Sequence, residues 1–130
     1  MPSVKKMHQT AYYRTIATIR DYPRLKEEIK RLRDESVKAT AYDAMPKANS
    51  ISSTVERNAV KIADMEHTIK QIDECLMLIP DDMRAGIFDN ILYRTRFPLN
   101  EYGLLVPSLS KWKREKTLFI QRVAKKMDII

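Results

Sequence analysis

Six side chains near the C-terminal end carry the strongest chemical signal in this chain: Ser110, Lys111, Lys113, Arg114, Lys116 and Thr117. They fall at the start of a run, residues 108–127, that holds seven Lys or Arg against one acid, Glu115. An arginine fork matches the two acceptors on a guanine edge, whereas a lysine ammonium is a point charge suited to a phosphate. Gathered at the start of one helix, these residue types suit duplex DNA, whose major groove admits a helix. Arg114 is the candidate for base contact. Lys111, Lys113 and Lys116 are placed for the phosphate backbone, with Ser110 and Thr117 on the same outward face. Trp112, Phe119 or Ile120, Val123 and Met127 recur at helical spacing and form the opposite, inward stripe. Trp112 is therefore expected in the core, while Lys125 and Lys126 complement the helix dipole at its end.

The charge distribution agrees with a directed surface. Residues 1–80 carry 14 basic and 11 acidic side chains, residues 81–107 carry 3 and 4, and residues 108–130 carry 7 and 2. Most of the net charge of +7 thus sits in the last segment, which argues for one basic face rather than a generally basic protein.

Enzyme chemistry finds no foothold. His8 and His67 stand at no ligand spacing, Cys75 is the single cysteine, and no glycine-rich phosphate loop occurs. Asp81 and Asp82 read as a helix start. The expectation is a protein that is not an enzyme, with no catalytic residues, no metal and no cofactor. One cysteine excludes an internal disulfide and suits a reducing compartment. No apolar leader follows Met1, and no apolar run approaches membrane-spanning length. A soluble, cytoplasmic protein without a membrane partner is expected.

Helices must position the basic face, because two glycines in 130 residues leave few sites for hairpin turns. The first helix runs from about His8 to Arg20. At Pro23 the pattern either kinks or restarts, and Leu25, Ile29 and Leu32 form the next stripe. Residues 37–52 read as the main loop. Ser53 and Glu56 make a capping box. Behind it Val55, Ile62, Ile69 and Leu76 recur every seven residues, as do Met65, Ile72 and Ile79, with Asn58 the polar exception. These rows predict a coiled-coil-like helix ending near Pro80. The front helix covers its seam as a hairpin, either alone or together with a second copy in a homodimer. A third helix opens at Asp81 or Asp82 and runs to about Arg94. The terminal motif then reads as a short apolar helix from Leu99, a break at Pro107, and a long helix capped by Ser108 or Ser110. The predicted fold is all-α: a helical hairpin for oligomerisation over residues 1–80, then a helix-turn-helix DNA-binding unit over residues 81–130.

The residues Ser108, Ser110, Trp112 and Arg114, each separated by one position, resemble the recognition-helix start in the promoter-reading C-terminal domain of sigma factors. The run 110–127 resembles the end of the RinA and ArpU group of phage transcriptional activators. Size, the Tyr22-Pro23 step and a long middle helix before the terminal motif extend that likeness. The resemblance implies a regulator of late genes in a phage or prophage of Gram-positive bacteria, acting upstream of packaging and structural genes. It departs from sigma-like motifs at residues 101–108, which are about one residue short, with Pro107 inside the turn. Two other readings join a basic helix to helical elements: a small terminase-like DNA-packaging subunit, and a helical adaptor binding RNA polymerase. Small terminase subunits usually place the DNA-binding unit first, opposite to the order here.

Overall fold

Asp21 alone separates the first two helices, α1 (Gln9–Arg20) and α2 (Tyr22–Ala41). Its amide donates to the carbonyls of Ala17 and Thr18 and closes α1. Pro23 falls in the first turn of α2, where a missing N–H breaks no helical bond. At the other end of α1, the His8 side chain accepts a hydrogen bond from the Thr10 amide at 3.2 Å. The computed structural model describes residues 6–41 and 48–130, excepting the side chains of 39–41 and 48–53. Three more helices follow: α3 (Ala48–Leu76), α4 (Asp81–Tyr93) and α5 (Leu109–Lys126). Among the described residues the regular structure is all-helical. None of these helices is long and apolar enough to cross a membrane.

Two boundaries differ from the sequence pattern. Residues 37–41 and 48–52 are helical rather than loop, and residues 42–47 of the expected loop lie outside the described residues. Consequently α3 begins at Ala48, and Ser53 lies inside it instead of capping it. No proline or glycine separates Ala48 from Ser53, so nothing in the backbone stops the helix from extending through the apparent cap.

The chain forms two compact units: Tyr22–Lys70, and Met1–Asp21 together with Gln71–Ile130. These run across a division at residue 80 rather than along it. Within the first, α2 turns Leu25, Ile29 and Leu32 inward. It pairs antiparallel with α3, as two contacts show. Arg33, just past the middle of α2, forms an ion pair with Glu66, in the second half of α3. Ser36, further along α2, accepts a hydrogen bond from Asn58 Nδ2 at 3.1 Å. The same Asn58 nitrogen donates to the Leu32 carbonyl at 3.3 Å. The polar exception in the heptad rows is thus buried and satisfied, while Val55, Ile62, Met65 and Ile69 are only half-buried.

The second unit is built from α1, the end of α3, α4 and α5. α1 packs on both α4 and α5, and α4 on α5. Its core joins Ile16 and Ile19 to Ile72, Ile87, Phe119 and Val123. The rings of Phe88 and Phe119 meet edge-on at 6.4 Å, a favoured aromatic geometry. Two arginines donate to carbonyls at or just beyond helix ends, where the helical ladder runs out. Arg20 Nε donates to the Ile91 carbonyl at 2.9 Å. Arg84 donates to those of Leu76, Met77 and Ile79 and pairs with Asp81.

Candidate nucleic-acid interface

Of the two candidate caps, Ser108 or Ser110, it is Ser108 that starts α5: its hydroxyl accepts from the Lys111 amide at 3.4 Å. From there the helix splits into two faces. Trp112, Phe119, Ile120, Val123 and Ala124 are buried, whereas Met127 is half-buried at the C-cap. On the other face Ser110, Lys111, Lys113 and Thr117 are exposed and Arg114 is half-buried, whereas Lys116, one turn beyond Trp112, is half-buried on that residue's own side. All six candidates therefore lie on one helix, although not equally open to solvent. Arg114 also has an interaction of its own within the chain. The Thr117 hydroxyl donates back to the Lys113 carbonyl at 2.9 Å, which leaves its oxygen lone pairs outward as acceptors.

Trp112 anchors this face. Its indole Nε1–H donates to the Leu99 carbonyl at 3.3 Å, so the buried ring has the polar partner it needs. The Lys116 ammonium lies 5.8 Å from the same ring's centroid, within cation–π range. Burial foremost, and then the nearby Arg20, hold the Lys116 ammonium below its ordinary pKa. Lys126 is turned to another task, an ion pair with Glu74 that raises its pKa. Lys125 is exposed.

The segment before α5 is a correction. Residues 99–106, expected as the first helix of a helix-turn-helix, form a reverse turn with an isolated antiparallel bridge between Leu99 and Leu105. Asn100 organises it. Its Oδ1 accepts from the amides of Tyr102 and Leu104, and its own amide donates to the Leu104 carbonyl at 2.7 Å. Gly103 takes a φ of 75°, a left-handed value that favours glycine. Pro98 and Pro107 bracket too few residues to nucleate a helix against that side-chain competition. The Leu99 carbonyl packs directly on Gly86, where a Cβ would fall on the carbonyl oxygen. α4 and α5 are consequently joined by the long connection 94–108, not by a tight turn. Tyr102, Leu104 and Leu105 are left exposed on it.

That connection contributes a cation that helical spacing does not reveal. Arg96 lines the same cleft as Lys113 and Lys116, from the bend before Pro98 rather than from α5. Among the described residues no cluster of three His, Cys, Asp or Glu forms a metal site. His8 caps a helix, His67 is exposed, and Cys75 is fully buried. No family model, curated protein or solved structure matches this chain.

Proposed function

We propose that this chain is a sequence-specific, duplex-DNA-binding regulator of transcription that meets DNA with the outward face of α5. The observation that supports this best is the sidedness of α5: exposed Ser110, Lys111, Lys113 and Thr117 opposite a stripe anchored by buried Trp112. A helix fixed along one side presents its cations in a constant register, as reading a groove requires. Arg114 reads a base edge, while Lys111, Lys113 and Lys116 neutralise phosphates. The half-buried Val55, Ile62, Met65 and Ile69 of α3 support a homodimer, which would pair two such faces on a symmetric site. The late-gene role in a phage or prophage, and contact with RNA polymerase, rest on the sequence resemblance of residues 110–127.

The test is duplex binding by the intact chain across salt concentrations. With about four to six phosphate contacts, log affinity falls against log salt with a slope of about −4 to −5. Lys113→Ala weakens all sequences alike and reduces that slope by about one, whereas Arg114→Ala relaxes preference at one base position. Binding indifferent to salt, or unchanged in both variants, would refute the assignment.

A further inference from the structure

In the unit that contains α5, a cleft of about 340 Å³ opens beside the helix. Part of its wall is apolar, made by Pro98, Leu109 and Ile120, with Tyr12 and Trp112 adjoining. Three cations, Arg96, Lys113 and Lys116, complete it, and the described residues that line it include no Asp or Glu. None of the described carboxylates pairs with any of the three. Like charges gathered on a partly apolar wall repel one another with reduced solvent screening. Lys116 is half-buried over Trp112, and burial foremost, then Arg20 from outside the cleft lining, disfavours its ammonium. A bound anion would balance the three cations, which the described lining leaves without a carboxylate. The cleft is also larger than a lone phosphate needs, and falls within the range of about 300–1,000 Å³ typical of small-molecule sites. Pro98, Leu109 and Ile120 offer contact to a flat apolar body but no hydrogen bonds from their side chains.

We propose that this cleft binds a small aromatic phosphomonoester, its phosphate held among Arg96, Lys113 and Lys116 and its ring against Pro98, Leu109 and Ile120. Such a site goes beyond contact with DNA, because a concave apolar wall contributes nothing to a backbone phosphate lying on a convex helix. Lys113 and Thr117 border both the cleft and the outward face of α5. Ligand and duplex therefore draw on two of the same cations, and occupancy of the cleft weakens backbone contact by Lys113 and Lys116.

Trp112 adjoins the cleft and is the single tryptophan of the chain, so its fluorescence serves as the reporter of binding there. The intact chain, free of nucleic acid, is titrated with phenyl phosphate and separately with inorganic phosphate. Phenyl phosphate should give a saturable change with an affinity about tenfold above that of inorganic phosphate, reflecting burial of the ring. Lys116→Met and Arg96→Gln should each weaken it about fivefold or more through loss of a charged donor. Lys125→Met, an exposed cation further along α5, should leave it unchanged. Circular dichroism confirms that each variant keeps its helices. Should Lys116→Met unfold, the exposed Arg96→Gln variant carries the test. Absence of saturation, equal affinity for the two phosphates, or wild-type binding by Arg96→Gln overturns the proposal. Since no duplex is present, such a failure leaves the reading of α5 as a DNA-contacting helix to its own experiment.

Discussion

Trp112 joins stability to surface chemistry, because the ring that fills the core also fixes the direction in which its neighbours point. Its indole bonds Leu99, and Leu99 in turn seats on Gly86. Trp112→Ala leaves a large cavity and an unpaired carbonyl, and should cost about 3–5 kcal/mol in urea unfolding. A variant that keeps its stability yet loses DNA affinity would show instead that the ring is a contact residue. Cys75 offers a second measurement in the same unit. Burial pushes its thiol up, against the pull of Lys126 and Arg122. A thiol raised in the folded state binds its proton more tightly there than in the unfolded chain. Its contribution to stability is therefore complete below the ordinary thiol value of about 8.5 and is lost as pH climbs through the raised one. Comparing wild type with Cys75→Ala between neutral and alkaline pH should show wild type losing stability faster. Identical pH dependence would mean that the thiol is not sequestered.

Among the elements, the α2–α3 pair owes its register to a polar residue. Asn58 occupies a row otherwise made of Met65, Ile72 and Ile79, and donates to the Leu32 carbonyl and the Ser36 hydroxyl across the hairpin. A buried asparagine of this kind specifies alignment at some cost in stability. Asn58→Asp keeps the shape but removes both donated hydrogens and buries a carboxylate against a carbonyl. The variant should lose about 3 kcal/mol at neutral pH. The deficit should shrink as pH falls, because a buried carboxyl has a raised pKa and its neutral form can donate to Leu32. Urea melts of both chains at pH 7 and near pH 4 decide this. A deficit independent of pH would mean the position is solvated.

For the molecule as a whole, packing crosses the division that charge and periodicity suggest. α1 supplies Ile16 and Ile19 to the unit that holds α5, and Arg20 closes a carbonyl of α4. Residues 81–130, although they contain most of the basic face, lack those partners and the buried Ile72 and Cys75 of α3. Expressed alone they should melt without a cooperative transition, because small units survive only with a complete core. A sharp thermal transition in that fragment, followed by circular dichroism, would show that α1 and the end of α3 are dispensable.

Several features of α5 could be read locally. A serine cap at 108 or 110, the buried Trp112 and the outward Lys111 and Lys113 each follow from capping chemistry and a 3.6-residue period, which depend on near neighbours in the chain. The opening of α4 at Asp81 and the stripe of Leu25, Ile29 and Leu32 were legible for the same reason. Residues 99–106 were not, because their apolar pattern fits a short helix as well as a turn. The choice was made by the Asn100 side chain, the left-handed Gly103 and the contact of Leu99 with Gly86 on another element. Which helix covers α5 was equally hidden. An apolar stripe states that a face must be buried, but not against what, and only the tertiary structure brought α1 to α5 and Arg96 beside Lys113 and Lys116.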